Sequence, residues 1–256
     1  MAVIELAVQR FEQRPGRCGA ATAQMILFYK NLVGSQIDVQ DALWTQIQDN
    51  TGGARPSGVD IQATDCPTWL TQQCDQCGGA KAFTCWCTYP PALLAALTSY
   101  GLPMALTTPP TDKVATAAAI ASVDFDIPAA VLVFNGLHWV AVAGYETNGA
   151  NAQPIGGQQV SEIYIRDPEV NAANRNVAID VWMDDYVSPV VQCGAFINLL
   201  VVIAATARLV PPQNPNVPNP PTNIRILRRA VPKRRPPKPP RRTPPKPPRS
   251  PRSKRR

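Results

Sequence analysis

The chain has 256 residues and a formal net charge of +7 at pH 7, a balance that misrepresents most of it. Residues 1–210 carry 10 basic and 18 acidic side chains, net −8, whereas residues 211–256 carry 15 Lys and Arg, 16 of the 28 prolines and no acid. The basic pI therefore says nothing about the first part, and the composition excludes a membrane span: the longest apolar stretch, Ala195–Ala207, is interrupted by Asn198 and too short for a bilayer.

Residues 1–210 are enough to bury one sizeable core and read as one globular domain. Residues 211–256 read as a disordered, Pro/Arg/Lys-rich basic tail. They have too few apolar side chains to offset the entropy of ordering, and Pro-Pro-Lys-Pro-Pro-Arg occurs at 236–241 and again at 244–249. The N-terminus lacks the basic region, apolar run and cleavage site of a secretory signal. The expectation is a cytoplasmic location, or export by a route without a signal peptide.

In chain order, Val3–Val8 is an apolar entry strand. Pro15-Gly16 then breaks the chain, and from Gly19 the composition turns helical, with Ala21, Met25 and Phe28 on one face. Cys18 thus falls at a helix start. Val39–Gln48 is a second helix capped by Asp38, and Asn50–Asp60 is loop. Residues 66–87 form a cysteine-rich insertion. Pro91–Tyr100 is a helix stopped by Gly101, Met104–Thr107 a short strand, and Val114–Ser122 another helix. Ala129–Phe134 is a buried strand, Asn135-Gly136 a hairpin turn and His138–Tyr145 the return strand. Glu146–Gly157 reads as a polar loop, and Glu162–Arg166 as a strand ended by Asp167-Pro168. Val181–Val187 is a short helix and Phe196–Ala204 a late strand. Helices first and an antiparallel sheet afterwards make the fold class α+β.

Seven cysteines bear on chemistry. A thiol is a nucleophile only as thiolate, and a helix N-terminus, nearby cations or an imidazolium lowers its pKa. Cys18 has the first by position, with Arg14 and Arg17 close in sequence. His138 is the only histidine, so a Cys–His pair in this chain has one possible base. His138 begins one strand and Asp167 ends the next. Antiparallel pairing puts both at one end of the sheet, where the carboxylate orients the imidazole. Gln13, five residues before Cys18, is a candidate side-chain donor to an oxyanion, with the Cys18 backbone N–H as the second and Gln9 as the alternative to Gln13.

The blocks Gln13…Cys18-Gly-Ala-Ala, His138-Trp-Val-Ala-Val-Ala-Gly-Tyr145 and Ile163-Tyr-Ile-Arg-Asp167-Pro168 resemble the C39-like branch of the papain-like cysteine peptidases. The resemblance runs through residues 1 to about 205, in order. It implies a papain-like fold and a Cys18–His138–Asp167 triad that cleaves peptide bonds of a peptide or protein substrate through an acyl-thioester, with no cofactor. The Gln-to-Cys spacing is one residue shorter than that family's, the loop between His and Asp is longer, and the cysteine-rich segment is additional. The same parts serve a thiol acyltransferase, deamidase or transglutaminase; a third reading is a non-enzymatic protein that binds through its tail.

Two features stand apart from the triad. Cys74, Cys77, Cys85 and Cys87 offer four thiolates for a structural zinc, although Cys85-x-Cys87 is tighter than the usual hook. Disulfides or free thiols are the other readings. The tail offers charge for nucleic acid or an anionic surface, and Pro-rich repeats for a domain that binds such motifs.

Overall fold

The structure, a computed structural model, describes residues 2–50, 88–169, 172–190, 196 and 198–208, together with the backbone of 224–227. The chain enters through β1, Ala2–Leu6, and after an irregular stretch turns into α1, Cys18–Tyr29, followed by α2, Ile37–Asn50. α3, Pro90–Ser99, β2, Met104–Thr107, and α4, Asp112–Asp124, complete the helical half. The sheet half holds β3, Ala129–Val133; β4, His138–Thr147; β5, Gln153–Ile155; β6, Gln158–Arg166; β7, Arg175–Ala178; and β8, Val201–Ala205. Between β7 and β8 a helical turn, Ile179–Val181, widens into a π-turn, Trp182–Tyr186. The architecture is the α+β arrangement that the order of patterns predicts.

β4 organises the sheet. β3 pairs with residues 138–142 of β4, and β1 with residues 144–147; β6 pairs with residues 141–147. Since a strand has two edges, β3 and β1 lie end to end along one edge of β4 and β6 takes the other. β8 bridges β3 and β2, β6 carries β5 and β7, and every pairing is antiparallel. β3 and β8 are buried at every position, as their unbroken apolar sequences require.

Gly144 makes the junction of β1 with β4 possible. A Cβ there would lie 2.4 Å from the Ile4 carbonyl oxygen and 2.8 Å from the Glu5 Cα, so only glycine admits β1 at this distance. A register shift between Val142 and Gly144 bends β4 at the same place. Past β1, Arg166 at the end of β6 donates to the Val8 carbonyl at 3.0 Å and to the Glu5 carboxylate at 2.6 Å. The N-terminal segment is thereby carried toward the ends of β4 and β6 where His138 and Asp167 stand.

α1 is the central helix. Eleven of its twelve residues are buried, so the single apolar face expected from Ala21, Met25 and Phe28 understates its environment. It packs on β4, α2 and α3, while α4 packs on β8, β3 and β4. Met25, Ile26 and Leu27 are fully buried; each contributes about 1.5–3 kcal/mol by leaving water.

Elsewhere the elements depart from the sequence pattern at their ends. α2 begins one residue before Asp38, which lies inside the first turn and accepts the Val39 N–H rather than capping the helix. Thr111 is the cap of α4 through Val114 N–H. The stretch expected to be a polar loop, 146–157, contains the end of β4 and all of β5, and β7 interrupts what read as coil. The turn of the β3–β4 hairpin is four residues, Phe134–Leu137, with positive φ at Phe134, Asn135 and Gly136. β8 starts five residues later than the late strand expected from Phe196. Within the segment expected to be tail, the backbone of Ile224–Leu227 forms β9 along β1. The cysteine-rich insertion with Cys66, Cys74, Cys77, Cys85 and Cys87, the isolated Cys193 and both Pro-rich repeats lie outside the described residues.

Candidate active site

Pro15 and Gly16, the latter at φ +70°, turn the chain so that α1 starts at Cys18. The first helical bond is Ala21 N–H to the Arg17 carbonyl at 3.0 Å. The N–H groups of Cys18, Gly19 and Ala20 therefore precede the ladder, and the positive end of the helix dipole lies at the thiol. Two contacts fix this end of α1 against the sheet. Thr22, one turn along from Cys18, donates its hydroxyl to the carbonyl of Trp139, the neighbour of His138, at 3.2 Å. Thr88 packs on Gly19 so closely that a Cβ there would meet its side chain at 2.2 Å, and the Thr88 carbonyl accepts the Trp139 indole N–H at 3.4 Å. Gly19 follows Cys18 because Thr88 needs the space.

His138 and Asp167 come together as the antiparallel reading requires. His138 Nε2 lies 2.8 Å from Asp167 Oδ1, and both side chains are largely buried. The His138 bond holds the Asp167 carboxyl below its usual range, against the opposing effect of burial, helped by the Glu169 N–H and by the charges of His138 and Arg175. An ionised carboxylate only accepts, so Nε2 carries a proton and Nδ1 is the ring nitrogen left for the thiol. Burial alone pushes the His138 imidazole down, but hydrogen bonds to Asp167 and Cys18, and the charges of both, outweigh it and raise the pKa to about 10. The Asp167 carboxylate at 2.8 Å thus favours the charged form of the ring. Phe134 stacks on it at 6.3 Å between centroids, with a φ of +52°. Positive φ is costly for so bulky a residue, and this strain sits beside the imidazole.

Gln13 is bonded to the turn that carries Asp167. Its backbone N–H donates to the Pro168 carbonyl at 2.7 Å, and its side-chain amide donates to the Glu169 carboxylate at 3.0 Å. The side-chain oxygen is buried without a partner. The residue is thus bound to the turn that carries Asp167, with its amide nitrogen on Glu169. Gln9, the alternative, is exposed. Arg14 and Arg17 are also occupied: both pair with Asp41 of α2, and Arg17 lies over the Trp44 ring. The two guanidinium groups share the one Asp41 carboxylate.

Sequence reasoning missed Arg10, Thr22, Thr88 and Phe134. Arg10, Thr22 and Thr88 carry no local signal, because each acts on a residue far along the chain: Arg10 on the turn at 167–169, Thr22 on Trp139 and Thr88 on Gly19; Phe134 acts on the ring four residues on, across the hairpin turn. Among the described residues no cluster of three or more His, Cys, Asp or Glu has the proximity to hold a metal ion, and no helix is long and apolar enough to cross a membrane.

No protein-family model matches the sequence, and no curated protein matches it either. Among solved structures, the chain is similar to a double-glycine motif protease from an AMS/PCAT transporter, determined in complex with its leader peptide. Identity is 14% and the TM-score 0.41, over 80% of this chain and 99% of that one. It is also similar to the peptidase domain of Streptococcus ComA, a bifunctional ABC transporter involved in quorum sensing, at 12% identity and a TM-score of 0.37, over 77% and 98%.

Proposed function

We propose that the chain is a cysteine peptidase with Cys18 as nucleophile, His138 as general acid and base, and Asp167 as the group that orients the histidine. The observation that carries this reading is the buried His138–Asp167 bond at 2.8 Å, with Cys18 at the start of α1, the helix that packs on the strand His138 begins. A thiolate beside an imidazolium is the reactive form of a thiol hydrolase. The Cys18 sulfur attacks the scissile carbonyl carbon, and the oxygen gains the electron pair. The Cys18 N–H, free of the helix ladder, faces that oxyanion. His138 gives its proton to the leaving amine as the C–N bond breaks, which leaves an acyl-thioester. Water then loses a proton to His138 and attacks the thioester, releasing the acid and restoring the ion pair.

Alkylation of Cys18 against pH, resolved by mass spectrometry, tests the pair. A free thiol titrates near ~8.5, and a paired one reacts as thiolate well below neutrality. The expected result is fast reaction at acid pH in the wild type and its loss in His138→Ala. A titration that is ordinary in both proteins removes the catalytic reading. A peptide library that includes Gly-Gly sequences then separates hydrolysis from acyl transfer: acid product in water, as against amide product with an added amine.

A further inference from the structure

The Asp167 turn is held in a way that the sheet does not explain. β6 ends at Arg166, and Pro168 has no N–H to extend a ladder. The three consecutive carbonyls of this turn are nonetheless all bonded, each to a donor from residues 10–13, and the Glu169 carbonyl also accepts the Ala172 N–H at 3.0 Å. Arg10 Nε donates to the Asp167 carbonyl at 2.7 Å, the Gln13 N–H to the Pro168 carbonyl at 2.7 Å, and Arg10 Nη2 to the Glu169 carbonyl at 2.5 Å. Glu12 takes the rest of the guanidinium at 3.3 Å and 3.4 Å. The Arg10 side chain is 17% exposed.

This grip reaches the carboxylate through one residue. Asp167 Oδ1 accepts two bonds, from His138 Nε2 at 2.8 Å and from the Glu169 N–H at 2.9 Å. The Glu169 carbonyl held by Arg10 and the Glu169 N–H on the carboxylate belong to the same residue, so a shift of one moves the other. A rigid planar fork spans two carbonyls two residues apart; a lysine ammonium on a flexible stem is a point donor without that geometry.

We propose that Arg10 is a positioning residue of this site, holding the Asp167–Glu169 turn so that the carboxylate stays aligned on His138. The inference rests on the triad reading. Arg10 acts by geometry, and Asp167 is the group through which its effect passes.

The test measures the rate of Cys18 alkylation against pH in the full chain, in wild type, His138→Ala, Arg10→Met and Arg10→Lys, and in both Arg10 variants combined with Asp167→Asn. Thermal unfolding and near-ultraviolet circular dichroism of each variant report folding. Arg10→Met and Arg10→Lys should both slow reaction near neutral pH by about tenfold and move the acid limb of the profile upward. Neither should change the rate further, beyond about twofold, in the Asp167→Asn background. Wild-type behaviour of Arg10→Lys overturns the proposal in favour of a charge effect. An equal loss with and without Asp167, or failure of both Arg10 variants to fold, overturns it in favour of a general structural role. Coincident wild-type and His138→Ala profiles remove the triad itself, and the proposal with it. Profiles that differ there but ignore Arg10 remove the proposal alone.

Discussion

The two sides of the candidate site are built differently. On the sheet side the carbonyls of Asp167, Pro168 and Glu169 are each bonded, and Asp167 Oδ1 accepts two hydrogen bonds. On the helix side α1 begins without a side-chain cap, and its first N–H groups lie outside the ladder. The buried side-chain atoms without a partner among the described residues are the Gln13 oxygen, Arg17 Nε and the Thr88 hydroxyl. They belong to residues just before Cys18 or packed against Gly19. An unpaired buried polar group costs about 1–3 kcal/mol, so it is not kept for stability. The contrast teaches that the carboxylate on the sheet side is fixed by hydrogen bonds, whereas the residues around the start of α1 retain unused hydrogen-bonding capacity.

The hardest blow to this contrast falls on the reacting pair. Cys18→Ala and His138→Ala should each lower peptide hydrolysis by about 10⁴-fold or more, and the double variant should be no worse than either. Steady-state rates on the same peptide decide it. Additive losses would mean that the two residues do not act as a unit.

Asp167→Asn comes next, with a loss in kcat of up to about 10⁴-fold, because an amide no longer enforces the reactive tautomer. The same variant reads the electrostatics. His138 is raised to about 10, so its contribution to stability is complete below its unfolded pKa of about 6.5 and is lost as pH rises toward 10. Asp167 is lowered, so its contribution is present above about 3.9 and is lost as pH falls. Urea midpoints of wild type minus Asp167→Asn should differ most between about pH 4 and 6.5, and converge toward pH 10. A constant difference across that range would show that the pair carries no titrating charge.

Gln13→Ala sharpens the comparison from the other side. Loss of an oxyanion donor lowers kcat by about 10²-fold or more with little change in KM. Reduced stability with unchanged kcat would assign Gln13 wholly to the strap that holds Pro168 and Glu169. The smallest effect is on packing: Gly19→Ala should cost about 1–3 kcal/mol in urea unfolding through its clash with Thr88. Thr88→Ala should recover most of that loss in the double variant, and no recovery would place the strain elsewhere.

Much of this site was legible in local pattern. Pro15-Gly16 before an Ala-rich stretch marks a helix start at Cys18, and an apolar run from Trp139 to Ala143 marks the strand that a lone histidine begins. Asp167-Pro168 ends the next strand, and the rule that neighbouring antiparallel strands share ends brings His138 to Asp167. Each of these signals is written within a few residues, because dihedral preference and apolar period act at short range. β5 and β7 were not legible, being strands of three and four residues made by their pairing with β6 rather than by their own composition.

Chain order and short-range chemistry thus settle the fold class, the meeting of His138 with Asp167 and the start of a helix at Cys18. Partner choice is settled only in three dimensions, since a side chain's hydrogen bonds depend on which distant segment the sheet delivers to it. Arg14 and Arg17 sit beside the thiol in sequence yet face Asp41. Gln13, five residues before Cys18 in sequence, is bound to Pro168 and Glu169, more than 150 positions away. Arg10, unremarkable in sequence, closes on carbonyls 157 and 159 positions away because β1 on β4 and Arg166 on Val8 bring it there.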